Sequence, residues 1–490
     1  MSGYIRKTLE YAAGNTFNKV LLLLLLPLFT RFMTPEEYAV YSNITIFVSF
    51  LSLVYLLGLQ QALFSHFYKF KDERYQFTVI SSILISITIF GIFLSYIVFR
   101  YRTTLADWIT TNPEFDNIFI YVSIILFCDS LYAIILRIIN TLERSMNYAL
   151  LSIVRNLSLL LLISIGTLAG KFSIETIFIY MTISSLISLL IALFNVIKIL
   201  SELRKFSKSI SALFSFPILL DMLTFGLPMI PGTIAFMVLR LSDRYMLTYL
   251  SANGLHDVGI YVIGYRIGMI LTFLNTIISL VYIPYAMKIA DDPRASYSYK
   301  KMFKAYAIWG GFLGFLIVIY TWEISLILLD SSYYEAVKLV VFGVLSSYLA
   351  GLLNLVNITF YIRKKAGNIA LAVGLGATIN IILNFILIPV LGVYGAGIAS
   401  VISYLFIFLL NYRISENLNP LNYDFRYVIY SLVSILLIST VNFFFRIGPV
   451  FTISKFVILA GFVSYYYFKY IRKDLKKMSL KKYVAENFKI

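Results

Sequence analysis

Cysteine is almost absent. Cys128 stands alone, so no disulfide framework can form within the chain,. There are two histidines, His66 and His256, far apart in sequence, and no cluster has metal-ligand spacing. Charge is scarce as well: 13% of the 490 residues are charged, where a soluble domain carries about a quarter. Acids are scarcer than bases, 24 against 41. No GxxxxGK[ST] phosphate loop occurs; GTLAGKF at 166–172 has the wrong spacing and ends in Phe172,. The adjacent acids Asp291 and Asp292 come without other catalytic signals. These absences point away from an enzyme, from a metal site and from any cofactor.

Apolar sequence is plentiful. Hydrophobic residues make up 60% of the chain, mean hydropathy is +0.86, and apolar runs recur from end to end. That composition belongs to an all-α, polytopic membrane protein, because lipid cannot satisfy free backbone groups and the period is not that of a barrel strand. The pattern predicts fourteen spanning helices. They lie near 12–33, 40–64, 77–99, 116–139, 147–169, 174–197, 220–249, 258–286, 302–321, 336–361, 367–388, 394–412, 426–445 and 449–470. No small-residue cleavage site follows the first apolar run, so it is expected to be a retained helix,.

Alternate loops differ in sign. Roughly 29 of the Lys and Arg fall on one side of the predicted membrane and about six on the other,. The positive-inside rule then places both termini in the cytoplasm of a cell inner (plasma) membrane protein. The excess of bases needs no nucleic acid to explain it, and the basic tail KYIRKDLKKMSLKKY reads first as a topology anchor. A weak repeat also runs through the chain. YAVYSNITIFVSFLSLVYLLGLQQALFSHFYKF at 38–70 resembles GIYVIGYRIGMILTFLNTIISLVYIPYAMKIAD at 259–291, and NTLERSMNYALL at 140–151 resembles TFYIRKKAGNIALA at 359–372. Both pairs are offset by about 220 residues, which makes two six-helix lobes related by a pseudo-two-fold along the membrane normal, the plan of an alternating-access transporter. The expected divisions are an N-lobe at 1–200, a linker at 201–219, a C-lobe at 220–414, two further helices at 415–471 and a basic tail at 472–490.

Several charges fall inside predicted spans: Lys19, Arg155, Arg240, Arg244, Arg266 and Lys455, with Asp129 and Asp243. A central charge costs about 2.5–3.5 kcal/mol on insertion scales. Snorkelling explains those near helix ends, Lys455 above all. Asp129 and Arg155 sit at matching depth on the fourth and fifth helices, which suits an ion pair that either holds structure or tunes coupling to an ion gradient. In FGLPMIPGTIAFMVLRLSDRYML, 225–247, Arg240, Asp243 and Arg244 follow helical spacing, and Asp243 is expected to orient the two arginines,. Pro228 and Pro231 interrupt the same helix, either as a fixed kink or as a hinge,. Tyr261 and Tyr265, four apart, suit sugar stacking, or else core or interfacial packing.

LLLLPLFTRFMTPEEYAVYS at 23–42, FGLPMIPG, LSDRYML and VGIYVIGYR together resemble, in order and spacing, the oligosaccharide flippases. These form the polysaccharide-export branch of the multidrug/oligosaccharidyl-lipid/polysaccharide exporter superfamily. The resemblance implies that a polyprenyl-diphosphate-linked oligosaccharide, such as an O-antigen or capsule repeat unit, is moved from inner to outer leaflet. It implies a cationic cavity, here Lys19, Arg240, Arg244 and Arg266 with Arg31 at the outer margin. Ser242, Asp243 and Arg244 give the best local match. Membrane lipid and glycan-assembly proteins are the implied partners. A drug or cation antiporter of the same superfamily is the alternative. A glycan polymerase would need a large outer loop, yet the longest, between Phe99 and Asp116, has about 16 residues. A passive channel needs no two-lobe repeat.

Reporter fusions at the C-terminus and within 100–115 should report opposite sides of the membrane. The same side for both would refute the topology.

Overall fold

The computed structural model describes residues 17–18, 20–70, 72–204 and 213–445. Among them no strand occurs, eleven helices are long and apolar enough to cross a membrane, and two apolar helices are shorter. In chain order these are α1 (Val20–Phe32), α2 (Pro35–Phe67), α3 (Glu73–Arg100), α4 (Pro113–Thr141), α5 (Ser145–Leu168), α6 (Ile174–Leu203), α7 (Phe216–Leu250), α8 (Leu255–Lys288), α9 (Ala295–Ile319), α10 (Ser331–Ile362), α11 (Gly367–Leu391), α12 (Val393–Leu418) and α13 (Arg426–Asn442). Each falls on one of the first thirteen predicted spans. The fourteenth, with the basic tail, Lys19 and Lys455, lies outside the described residues.

The same neighbour pattern occurs twice. In the first lobe α4 packs on α2, α3 and α6, and α5 on α6. In the second α10 packs on α8, α9 and α12, and α11 on α12. The all-α, two-lobed plan read from the repeat is therefore present in the packing. Helix α13 stands outside the repeat and rides on α9. Ser431 Oγ donates to the Ala307 carbonyl at 2.8 Å, and Asn442 Nδ2 donates to the Val318 carbonyl at 2.6 Å.

The TPEE turn has a local cause. Thr34 caps α2: its hydroxyl accepts from the Glu37 N–H at 3.3 Å, while the Glu37 carboxylate accepts from the Thr34 N–H at 3.0 Å. Pro35 fits the first helical turn because its missing N–H would have no partner there,. Helix α2 then breaks at Leu57 and Gly58, both with positive φ, 48° and 70°. Helix α7 breaks over Leu227–Met229, a 3-10 turn containing Pro228,. The two breaks touch. A Cβ at Gly58 would lie 2.3 Å from the Gly226 carbonyl oxygen, and a Cβ at Gly226 would lie 2.5 Å from the Gly58 oxygen. Only two glycines permit that approach.

The break divides the allegiance of α7. Leu219 and Met222, before it, are buried in a core made by α2, α3, α4, α5 and α6. Ser215 N–H also donates to Ser82 Oγ of α3 at 3.0 Å. After the break, α7 packs on α11 and α12. The lobe boundary expected ahead of residue 220 thus runs inside α7, because its first eleven residues bury their apolar side against the N-lobe.

Three substitutions separate the forces here. Gly170→Ala meets a positive φ of 68° with nothing within 4 Å and should cost about 1–2 kcal/mol. Gly226→Ala meets only the steric contact, about 1–3 kcal/mol. Gly58→Ala meets both and should lower the thermal unfolding midpoint most. Equal shifts at 58 and 170 would show that the contact carries no weight.

Candidate functional site

A cavity of about 660 Å³ lies among α1, α7, α8, α10 and α12, and among the described residues its walls carry Arg240, Arg244 and Arg266 but no acid. Volumes of roughly 300–1,000 Å³ are those of ligand pockets. Each arginine is held differently. Arg244 Nη1 donates to Ser42 Oγ of α2 at 3.1 Å. Arg266 Nη1 donates to the Tyr38 hydroxyl, one turn away on α2, at 2.6 Å. The Arg240 guanidinium lies 5.6 Å from the Phe236 ring centre. Among the described residues none of the three makes an ion pair. A guanidinium has five N–H donors, so most of the donor capacity of Arg244 and Arg266 remains beyond these bonds.

Asp243 does not orient these arginines. It is 2% exposed and turned into the C-lobe, where its carboxylate accepts from the Tyr261 hydroxyl at 2.7 Å, Asn384 Nδ2 at 2.7 Å and Ser400 Oγ at 2.5 Å. The reason is helical phase: one residue is about 100° of rotation, since a turn holds about 3.6 residues. Asp243 therefore looks away from Arg244, toward α8, α11 and α12. The adjacent Ser242 Oγ donates to Asn380 Oδ1 at 3.1 Å and extends the network.

The two tyrosines part company. Tyr261 is 3% exposed and its hydroxyl is engaged by Asp243, so it offers nothing to a glycan. Tyr265, its ring centre 5.4 Å away, lines the cavity. Arg31 is exposed near the end of α1, away from the cavity walls. Lys19 lies outside the described residues. In the N-lobe, Arg155 Nη2 stands 2.5 Å from Asp129 Oδ2 and ties α5 to α4. This pair does not line the cavity. Pro228 sits in the break in α7 and Pro231 in the first turn after it, and neither lines the cavity.

The end of the bundle opposite the basic loops is shut by contacts between lobes. Asn43 Nδ2 donates to Thr248 Oγ1 at 3.0 Å, Tyr245 donates to the Asn43 carbonyl at 3.0 Å, and Tyr333 donates to the Met33 carbonyl at 3.0 Å. His256 Nδ1 is 2.7 Å from Glu36 Oε1. At the basic end, Lys69 Nζ lies 2.8 Å from Asp221 Oδ2 and His66 Nε2 lies 3.3 Å from the same atom. The hydrogen bond and charge of Asp221 raise the Lys69 ammonium above its ordinary pKa.

Sequence reasoning missed Tyr38 and Ser42, which bind the arginines. A signal was present: they lie four apart on one face of α2, in a run otherwise rich in apolar residues. It also missed the cavity's neutral wall, Thr272, Thr276 and Ser279 on α8 with Asn354 on α10.

A family model described as polysaccharide biosynthesis protein matches residues 4–290. No curated sequence matches the chain. Among solved structures, the lipid II flippase MurJ in an inward closed conformation is similar at a TM-score of 0.71 and 14% identity, over 93% of this chain and 98% of that one. An inward-facing multidrug resistance MATE family transporter of the MOP superfamily gives 0.62 and 15%, over 82% and 95%. A MOP superfamily transporter from Pyrococcus furiosus, described as having a binding pocket of reversed polarity, gives 0.58 and 13%, over 86% and 96%. At such identities the likeness speaks for the fold.

Asp129→Asn and Arg155→Gln should each lower the thermal midpoint, because either leaves a charge without its partner. The double variant should recover most of the loss. No recovery would mean that the two residues act separately.

Proposed function

The chain belongs to the polysaccharide biosynthesis protein family, and from that footing we propose that it flips a polyprenyl-diphosphate-linked oligosaccharide from the inner to the outer leaflet by alternating access. One observation carries the reading: three guanidiniums line a large cavity in which the described residues place no carboxylate. A diphosphate cannot cross hydrocarbon alone, and the planar fork of Arg matches phosphate oxygens. Leu22 and Leu23 of α1 face the same cavity, which offers an apolar edge along which the lipid tail stays outside while the polar head enters. The alternative, a drug or cation antiporter, would place an organic cation beside three positive charges. Asp129, the acid that favoured it, is already bound to Arg155.

The arginines also supply a switch. A ligand that grips equally in both states shifts no equilibrium. Here the bonds of Arg244 to Ser42 and Arg266 to Tyr38 join the lobes in the closed arrangement. An anion that takes up the guanidiniums competes with those bonds and loosens the closed end. The break at Pro228 and Pro231 lets α7 bend as the lobes rock. On this reading the closed end faces outward and both termini face the cytoplasm, where glycan-assembly proteins hand over the substrate.

Arg240→Ala with Arg244→Ala should abolish translocation of lipid-linked oligosaccharide at normal protein abundance. Each single change should reduce it roughly ten- to a hundredfold, as expected for loss of charge-assisted bonds. Lys at either position should restore only part. Full activity of the double alanine variant at wild-type abundance would overturn the assignment.

A further inference from the structure

A second cavity, of about 160 Å³, lies among the end of α9, the short helix Thr321–Leu328, the start of α10 and the end of α13. It belongs to the closed end of the bundle: Tyr334 on its wall adjoins Tyr333, whose hydroxyl reaches across to Met33 there. None of its lining residues lines the arginine cavity. Its volume falls below the roughly 300–1,000 Å³ of ordinary ligand pockets. It has room for one small headgroup and none for a chain of sugars.

The polar groups on its walls are of two kinds. Some serve the fold. Thr321 Oγ1 donates to the Ile317 carbonyl at 2.8 Å, Asn442 Nδ2 donates to the Val318 carbonyl at 2.6 Å, and Lys338 has a contact of its own. The others are not used. The bond to Val318 fixes the Asn442 amide, yet its Oδ1 is buried and accepts no hydrogen bond. Among the described residues the Ser439 hydroxyl, the Tyr334 hydroxyl and the Glu335 carboxylate make no hydrogen bond or ion pair either. Ser439 departs from its neighbours on α13. Ser434 and Thr440 bond back to the Ser431 and Leu436 carbonyls, each at 2.9 Å, as hydroxyls inside helices commonly do. A buried acceptor left unpaired is costly, so this wall suits a donor that comes from outside the chain.

The donor it fits is a cation. Glu335 brings a negative charge, and Asn442 brings a carbonyl oxygen. The rings of Trp322 and Tyr334 make a corner of the same cavity, with centres 5.8 Å apart and planes inclined at 74°, and aromatic rings attract ammonium groups. An apolar strip leads up to the site: Val433, Leu436 and Leu437 are exposed on α13, and Leu436 lies one turn before Ser439. We propose that the cavity holds the headgroup of a phospholipid bearing a primary ammonium, of the ethanolamine type. Its N–H groups donate to Glu335, Asn442 Oδ1 and Ser439 Oγ, and its acyl chains lie along Leu436 and Leu437. Lys338 is exposed beside them, and an ammonium with three donors meets the lipid phosphate besides its own contact. A quaternary ammonium has no N–H and leaves the acceptors unanswered. The bound lipid fastens α13, which stands outside the repeat, to α9 and α10.

The test uses the full-length protein in detergent micelles, with bound lipid measured by native mass spectrometry. The probes are short-chain phosphatidylethanolamine, phosphatidylcholine and phosphatidylglycerol. Phosphatidylethanolamine should bind about tenfold more tightly than either of the others. Glu335→Gln should weaken it about tenfold and Ser439→Ala roughly two- to tenfold, the range of one lost hydrogen bond. Phosphatidylglycerol binding should change by less than about twofold in both. Should either variant unfold, Trp322→Leu carries the same comparison. Equal binding of the three lipids, or unchanged affinity in the variants, would leave the cavity to water and overturn the site. Loss of phosphatidylethanolamine binding in Arg244→Ala would place the lipid in the arginine cavity and overturn it too. Binding of glucosamine without binding of phosphatidylethanolamine would make the ligand an amino sugar and overturn the lipid assignment.

Discussion

Three guanidiniums sit within the spans, and among the described residues no carboxylate pairs with them. The rest of the structure follows from keeping that arrangement tolerable. Charge in hydrocarbon is expensive, so the arginines must face water or an anion, and a cavity lies in front of them. They must also be held in place by groups that do not cancel their charge. Ser42 and Tyr38 do this with neutral oxygens. Asp243, the one acid among them in sequence, is turned aside and occupied by three neutral donors. The cavity keeps its positive sign because the fold hides its negative neighbour.

The same bonds do mechanical work. Both neutral partners stand on α2, in the other lobe, so every hydrogen bond that positions an arginine also helps to close one end of the bundle. Under the proposed flipping, anion binding and closure would thereby be coupled without a separate relay. Helix α7 joins the two lobes, since its two segments pack on different ones and the 3-10 turn at Leu227–Met229 is where the change of allegiance occurs.

Much of this was legible beforehand. Hydropathy located thirteen helices because a span must be apolar along its length whatever it packs against. The repeat anticipated the doubled neighbour pattern. The glycines and prolines of FGLPMIPG marked a real break, since few side chains permit one. What failed was finer. Spacing put Asp243 with the arginines, but a one-residue step around a helix was enough to send it into the lobe interior. Tyr261 and Tyr265 looked equivalent in sequence, while only the fold decided that one would serve a buried carboxylate and the other a cavity. Tyr38 and Ser42 showed only as two polar residues four apart on one face of α2, and what they bind was not legible because contacts across lobes leave no local pattern.

The meeting of Gly58 and Gly226 bears on the resistance that α2 and α7 offer to being turned against each other. Most helix crossings interlock through side chains, and sliding them requires rotamers to be reset in sequence. Here two bare backbones meet, with no rotamer between them. Such a contact behaves as a bearing rather than a clasp: it fixes the separation of α2 and α7 closely while offering little friction to rotation about the point where they touch.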